Sequence, residues 1–255
     1  GTDTVQSTVT ETLYVDGTQT TKLTATAGPG PAVLRGGDGN DVLLGGSGND
    51  YLQGGEGDDT INGGDGVDRA AFLLVPTDVQ VGVTVNLNLQ GVAQNTGHGM
   101  DTLISIEHVS GGGFADTLLG NSGDNWIWGQ GGNDTLDGRD GNDLLEIGSG
   151  AATVIGGNGN DTLSFFNNAN LTSGVTASLL LQGSAQTFNG TSTVNASGVE
   201  NLTGTAFNDT LTGDAAANVL AGRQGNDTLN GGDGDDLLLG DGAISITSTQ
   251  GGSGP

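Results

Sequence analysis

"GGDGNDVLLGGSGNDYLQGGEGDDTINGGDGVDRAAF", residues 36–72, repeats one nine-residue phrase four times. The units are 36–44, 45–53, 54–62 and 63–71, each close to G-G-x-G-x-D-x-U-x, where U is bulky and apolar. Position six holds Asp41, Asp50, Asp59 and Asp68; position eight holds Leu43, Leu52, Ile61 and the smaller Ala70. Such a unit is too short to bury an apolar face alone, so it must stack on copies of itself. Two units make one coil of 18 residues with a short strand on each side. Coils stacked at the roughly 4.8 Å spacing of neighbouring strands build two parallel sheets around a seam of position-eight side chains.

The phrase recurs downstream. Residues 111–164 hold six units, with Asp116, Asn125, Asp134, Asp143, Ala152 and Asp161 at position six. Residues 204–242 hold Asp209, Asn218, Asp227 and Asp236 there, each followed two residues later by leucine. A longer period contains the short one: residues 105–125 match 198–218 at an offset of 93. The intervening segments 72–110 and 165–203 are thus a duplicated pair of spacers. Alternation in "GVTVNLNLQG" (82–91) and "GVTASLLLQG" (174–183) is the pattern of a half-buried strand, and apolar segments 103–109 and 199–202 follow. The expected organisation is a Thr-rich β segment or cap (1–35), repeat block one (36–71), spacer one (72–110), block two (111–164), spacer two (165–203), block three (204–242) and a tail (243–255). The fold class is all-β, a right-handed parallel β-roll or β-solenoid with β-strand spacers. The chain starts at Gly1 without methionine and is read as a piece of a longer protein.

Composition narrows the partners. Of 255 residues, 51 are glycine, far above the roughly 7% norm, while 30 acidic against 5 basic residues give a net charge of −25. Nucleic acid and anionic membranes need basic patches, which five scattered cations do not supply, and no apolar run approaches the ~20 residues of a membrane span. Cations are the natural counterpart. In the stacked coil Asp41 lies beside Asp59, and Asp50 beside Asp68; unpaired carboxylates about 5 Å apart repel by a few kcal/mol at an intermediate dielectric. A hard divalent ion between the turns removes that repulsion. Calcium accepts six to eight oxygens, backbone carbonyls included, whereas magnesium demands a tighter octahedron. Zinc favours His or Cys, and the chain has two His and no Cys.

"GGDGNDVLL", "GGSGNDYLQ" and "GGEGDDTIN" resemble the nonapeptides of the repeats-in-toxin (RTX) family, and the phased array extends the resemblance over most of 36–242. The resemblance implies several calcium ions bound through position-six side chains: Asp41, Asp50, Asp59, Asp68, Asp116, Asp134, Asp143, Asp161, Asp209, Asp227 and Asp236. It implies further ligands in the carbonyls of positions one, three and five, here Gly36, Asp38, Asn40, Gly45, Ser47, Asn49, Gly54, Glu56 and Asp58. Asn125 and Asn218 depart from the pattern and are expected to bind weakly; Ala152 is expected to leave a gap in its pairing with Asp134. The resemblance also implies export through a type I channel, unfolded in low cytosolic calcium and folded outside. A non-enzymatic module of a larger secreted bacterial protein, part of a surface adhesin, is the expected role. The alternatives are the calcium-binding tail of a secreted enzyme (protease, lipase or epimerase) and a carbohydrate-binding module that meets a cell-surface glycan.

Other features have plainer readings. His98 and His108 are expected to be structural, since neither HExxH nor GxSxG is present. Trp126 and Trp128 flank inward-facing Ile127 and are expected to point outward, covering a neighbouring spacer strand in preference to the alternative of stacking on sugar rings. Residues 27–35 are expected to form a degenerate capping coil. A threonine ladder of the ice-binding kind is disfavoured because it does not continue into the nonapeptides.

Overall fold

A computed structural model describes residues 3–6, 13–16, 23–73, 81–166, 171–188, 192–241 and 245–246. Residues 1–2, 7–12 and 17–22 of the Thr-rich segment and most of the tail therefore lie outside the described residues. The chain divides into two compact units, 1–127 and 128–255.

In the first unit, one sheet takes Asp3–Gln6, Leu23–Thr26, Val42–Gly46 and Thr60–Gly64 in parallel order; the opposing sheet takes Leu13–Asp16, Ala32–Asp38, Tyr51–Glu56, Arg69–Ala71 and His108–Ser110. The register fixes the coil: Val42 pairs with Thr60 and Val33 with Tyr51, each 18 residues on. The second unit repeats the scheme, Leu144 pairing with Thr162 and Thr210 with Thr228. Because successive side chains of a strand alternate, position eight of every x-U-x strand points inward. Leu43, Leu52, Ile61, Leu118, Leu136 and Leu145 are fully buried, while Leu238 is half-buried. The all-β parallel roll read from the repeat is the fold observed.

Residues 27–35 do enter the stack. Leu34 is fully buried, and the Ala32 amide donates to Asp50 Oδ1 at 2.7 Å, so Ala32 stands where a position-six residue would.

The spacers depart from the expected strands. Within 82–91 and 174–183 only Thr84–Asn86 and Thr176–Ser178 are extended; each runs into a single 3-10 turn, Leu87–Leu89 or Leu179–Leu181. The cause is local capping, because the Asn86 and Ser178 side chains accept the amides of Asn88 and Leu180 and stop the strand. Two duplicated glutamines then bracket the backbone. Gln94 exchanges hydrogen bonds with both backbone groups of Asn86, as Gln186 does with Ser178. Gln90 does the same for Ile106, and Gln182 for Val199. The apolar segment 103–109 is also not one strand. It breaks at Ser105 (φ 50°), between Met100–Ile104 in one sheet and His108–Ser110 in the other.

Each spacer ends one sheet and opens another. In spacer one, Met100–Ile104 pairs parallel to Thr60–Gly64 and is closed by the antiparallel Ala93–Asn95, while Thr84–Asn86 starts a fresh parallel pair with Thr117–Leu119. Spacer two repeats this with Ser192–Ser197, Ala185–Phe188, Thr176–Ser178 and Thr210–Thr212.

Candidate metal centre

The position-six aspartates line the turns between the sheets and, apart from half-buried Asp236, are buried; Asp50, Asp59, Asp68 and Asp227 are at most 3% exposed. One oxygen of each carboxylate is committed to the fold. Asp59 Oδ1 accepts the Asp41 amide at 2.8 Å, Asp68 Oδ1 the Asp50 amide at 2.8 Å, and Asp227 Oδ1 the Asp209 amide at 2.9 Å. The carboxylate therefore staples its own coil to the preceding one. The second oxygen, Oδ2, of Asp50, Asp59, Asp68 and Asp227 is buried without a hydrogen-bond partner. A buried ionised oxygen left unsatisfied carries a penalty of several kcal/mol, so these atoms call for a ligand.

The glycine at position one borders the space they face. A Cβ built on Gly45 would lie 2.2 Å from Asp50 Oδ2 and 2.5 Å from the Gly63 carbonyl oxygen of the next coil. On Gly36 it would meet Asp41 Oδ2 at 2.2 Å and the Gly54 carbonyl at 2.4 Å. Carboxylate and carbonyl oxygens thus converge on a cradle that only glycine leaves open. Among the described residues no group of three or more His, Cys, Asp or Glu gathers as a metal cluster. The donor set is one carboxylate with carbonyls, the hard-oxygen chemistry suited to calcium.

Electrostatics agree. Burial, with the charges of Asp101, Asp41 and Asp58 adding to it, pushes Asp59 up to about 8 against the pull of the Asp41 amide. Burial likewise raises Asp68 to about 6, and lifts Asp50 and Asp101 above the usual carboxylate range.

Not all turns are alike. In one kind, here called open, the residue at position two has a positive φ: Gly37, Gly46, Gly55, Gly64, Gln130, Arg139, Gly157, Arg223 and Gly232. Position four of these turns is always glycine, as Gly57 illustrates with φ 126° and a Cβ position 2.3 Å from the Gly39 carbonyl. Side chains at position five brace successive turns, Asn40 Oδ1 accepting the Asp58 amide and Asn49 Oδ1 the Val67 amide.

In the other kind, here called closed, the position-two amide donates back into the position-six side chain. These bonds run from Gly112 to Asp116 Oδ2 (2.7 Å), Asn121 to Asn125 Oδ1 (2.8 Å), Thr205 to Asp209 Oδ2 (2.7 Å) and Asp214 to Asn218 Oδ1 (2.8 Å). None of those four position-two residues has a positive φ, and position four is Phe114, Gly123, Phe207 or Ala216. Asn125 and Asn218 need an amide, because Nδ2 donates to the Glu107 and Glu200 carbonyls, 18 residues earlier.

A further turn was hidden in spacer one. Residues 96–104, "TGHGMDTLI", are a nonapeptide with threonine at position one. Gly97 and Gly99 take positive φ, Asp101 Oδ1 accepts the Asp59 amide at 2.9 Å, and Leu103 fills the seam. Here the buried Thr96 hydroxyl donates to Asp101 Oδ2. His98 belongs to this turn and contacts Glu56 at 2.6 Å, so its loop is part of the stack. Glu107 and Glu200 cap the Asp68 and Asp161 amides across the shortened coils that follow.

At Ala152 the strand register with Asp134 continues without a break. Spacer two adds buried Val194 opposite Ala152, so this ladder turns apolar. Trp126 is half-buried on the outer face, with the Arg69 guanidinium 3.8 Å from its ring and His108 at its edge. His108 Nδ1 accepts the Trp126 amide, and burial lowers its basicity.

Comparison with known families places this geometry. The chain matches the RTX calcium-binding nonapeptide repeat (4 copies) over residues 35–70, 110–145, 147–164, 196–229 and 212–243. These segments cover more than half of the chain, and it belongs to that family. The repeat is a structural calcium-binding module. No curated protein matches the chain.

Proposed function

We propose that this chain is a calcium-gated folding module of a larger secreted bacterial protein, and that the open turns carry its ions. The observation behind this is the set of buried Oδ2 atoms of Asp50, Asp59, Asp68 and Asp227 that no protein group satisfies. In this reading the ligands are the side chains of Asp41, Asp50, Asp59, Asp68, Asp134, Asp143, Asp161, Asp227 and Asp236. Backbone carbonyls at positions one, three and five complete each shell, in the first turns those of Gly36, Asp38, Asn40, Gly45, Ser47, Asn49, Gly54, Glu56 and Asp58. Calcium supplies the positive charge that the buried carboxylates lack.

Gating follows from mass action. Extracellular modules bind calcium at ~10⁻⁴–10⁻³ M, and an ion that binds only the folded state adds its binding free energy to stability. At a net charge of −25 the chain repels itself when no cation is bound. In low cytosolic calcium it stays extended, a form fit for a type I secretion channel, and it folds on reaching millimolar calcium outside. The duplication at an offset of 93 residues favours an extender within a surface adhesin, lengthened by adding whole units. Among the described residues no helix is long and apolar enough to cross a membrane.

Analytical ultracentrifugation of the chain in millimolar calcium and in excess EGTA tests the gate. The expected result is a compact particle with calcium and an expanded one without. Equal sedimentation in both would contradict the reading.

A further inference from the structure

The two kinds of turn are not scattered. Both closed turns of the first unit, 111–116 and 120–125, come directly after spacer one; those of the second, 204–209 and 213–218, come directly after spacer two. In the closed aspartate turns both carboxylate oxygens already accept backbone amides. Asp116 Oδ1 takes Val83 at 2.8 Å while Oδ2 takes Gly112. Asp209 Oδ1 takes Val175 at 2.7 Å while Oδ2 takes Thr205, whose hydroxyl also reaches the carboxylate. In the open turns of Asp59 and Asp227 the corresponding Oδ2 has no such donor.

We propose that turns 111–116, 120–125, 204–209 and 213–218 close without a cation, their position-two amides doing the work that calcium does in the open turns. Asp116 and Asp209 are then hydrogen-bond acceptors that hold the turn, and each repeat block after a spacer begins on one coil whose two turns need no ion. Three independent features support this. The N–H donor is present in all four turns. Two of the four carry asparagine at position six, which gives the same acceptor oxygen without the charge. Phe114, Phe207 and Ala216 stand at position four, where open turns carry only glycine. A charged N–H···O⁻ bond at 2.7 Å is among the stronger ones, and it quenches the unmet demand that makes the open turns bind metal. Spacer one ends block one on the same logic, with the Thr96 hydroxyl satisfying Asp101.

The inference rests on the calcium reading above, and one experiment separates the two. Bound calcium per chain is counted by elemental analysis after gel filtration for the full chain and for D59N, D227N, D116N and D209N, each checked by circular dichroism for folding in calcium. D59N and D227N are expected to lose at least one ion each, whereas D116N and D209N, which trade one acceptor oxygen for a donor and so cost stability, keep the wild-type ion count. Loss of an ion in D116N or D209N, matching the controls, overturns the inference. A wild-type chain that binds no calcium overturns the underlying reading instead. Should a variant fail to fold, anomalous diffraction from calcium-loaded wild-type crystals decides. Ion peaks are expected within ~2.3–2.6 Å of Asp59 and Asp227 Oδ2, the usual calcium–oxygen distance, and a peak at Asp116 or Asp209 overturns the proposal.

Discussion

Turns 54–59 and 120–125 span the same six positions of their nonapeptides, yet they solve the same problem by different chemistry. The first leaves Asp59 Oδ2 buried and unmet; the second satisfies Asn125 from its own Asn121 amide and the Glu107 carbonyl. The difference begins with the backbone. A positive φ at Gly55 and Gly57 shapes the open turn, and only glycine takes such angles without strain. The closed turn has no positive φ, so Asn121 sits at position two without the left-handed backbone that Gln130, Arg139 and Arg223 adopt there in open turns, and its copy accepts Ala216 at position four, where open turns keep glycine. Dependence on an ion is therefore a property of local backbone shape before it is a property of charge.

The sharpest way to break the comparison is at position four. An alanine at Gly57 combines a φ of 126° with a Cβ 2.3 Å from the Gly39 carbonyl oxygen, a backbone atom. The G57A variant should lose about 3 kcal/mol or more, since strain alone costs ~1–3 kcal/mol, with a marked rise in its calcium midpoint. At Gly123 the nearest atom to an added Cβ is Asn121 Oδ1 at 3.4 Å. G123A should stay within about 0.5 kcal/mol of wild type, or gain slightly from reduced unfolded-state entropy. Thermal melts in saturating calcium would check both, and equal losses would remove the distinction.

A smaller effect is expected at Asn125. N125D keeps the acceptor for the Asn121 amide but turns the donor facing the Glu107 carbonyl into an oxygen, which costs about 1–3 kcal/mol for the unmet buried groups. Denaturant unfolding in calcium should show that loss without an added ion. A stabilised N125D with one more calcium would mean that a closed turn opens readily.

The mildest lever is pH on the metal-free chain. Asp59 at about 8 and Asp68 at about 6 are raised above the ~3.9 of an unfolded aspartate. Their protonated forms favour the fold, so this contribution is fully present below about 4 and is lost as pH rises through about 6 and 8. In EGTA, acidification from pH 8 toward 4 should increase β-structure, and calcium affinity should fall over the same window as protons compete. A gain of structure in EGTA on raising the pH would contradict that sign.

Much of this was legible in the residues. The nine-residue period, Leu43 and Ile61 in the seam, and the stacking of Asp41 with Asp59 all follow from regular spacing, because a solenoid converts sequence distance directly into spatial neighbours. What regular spacing hides is any break in it. The turn at 96–101 escaped notice because 42 residues separate Asp59 from Asp101 where 18 would be expected, and because threonine replaces glycine at position one. The closed turns had a visible sign in Phe114, Phe207 and Ala216 at the glycine position, but its meaning lay in an amide direction that no residue pattern states. Gln90, Gln94, Gln182 and Gln186 gave no signal beyond their duplication, since side-chain brackets between distant strands depend on three-dimensional placement.

The central claim, that the open-turn carboxylates make folding depend on calcium, meets its most direct test in far-ultraviolet circular dichroism during a calcium titration from excess EGTA. The account requires a largely unstructured spectrum at the start and a cooperative rise of β-signal as calcium reaches the millimolar range. A chain already fully β-structured in EGTA, and unchanged by calcium, would contradict it.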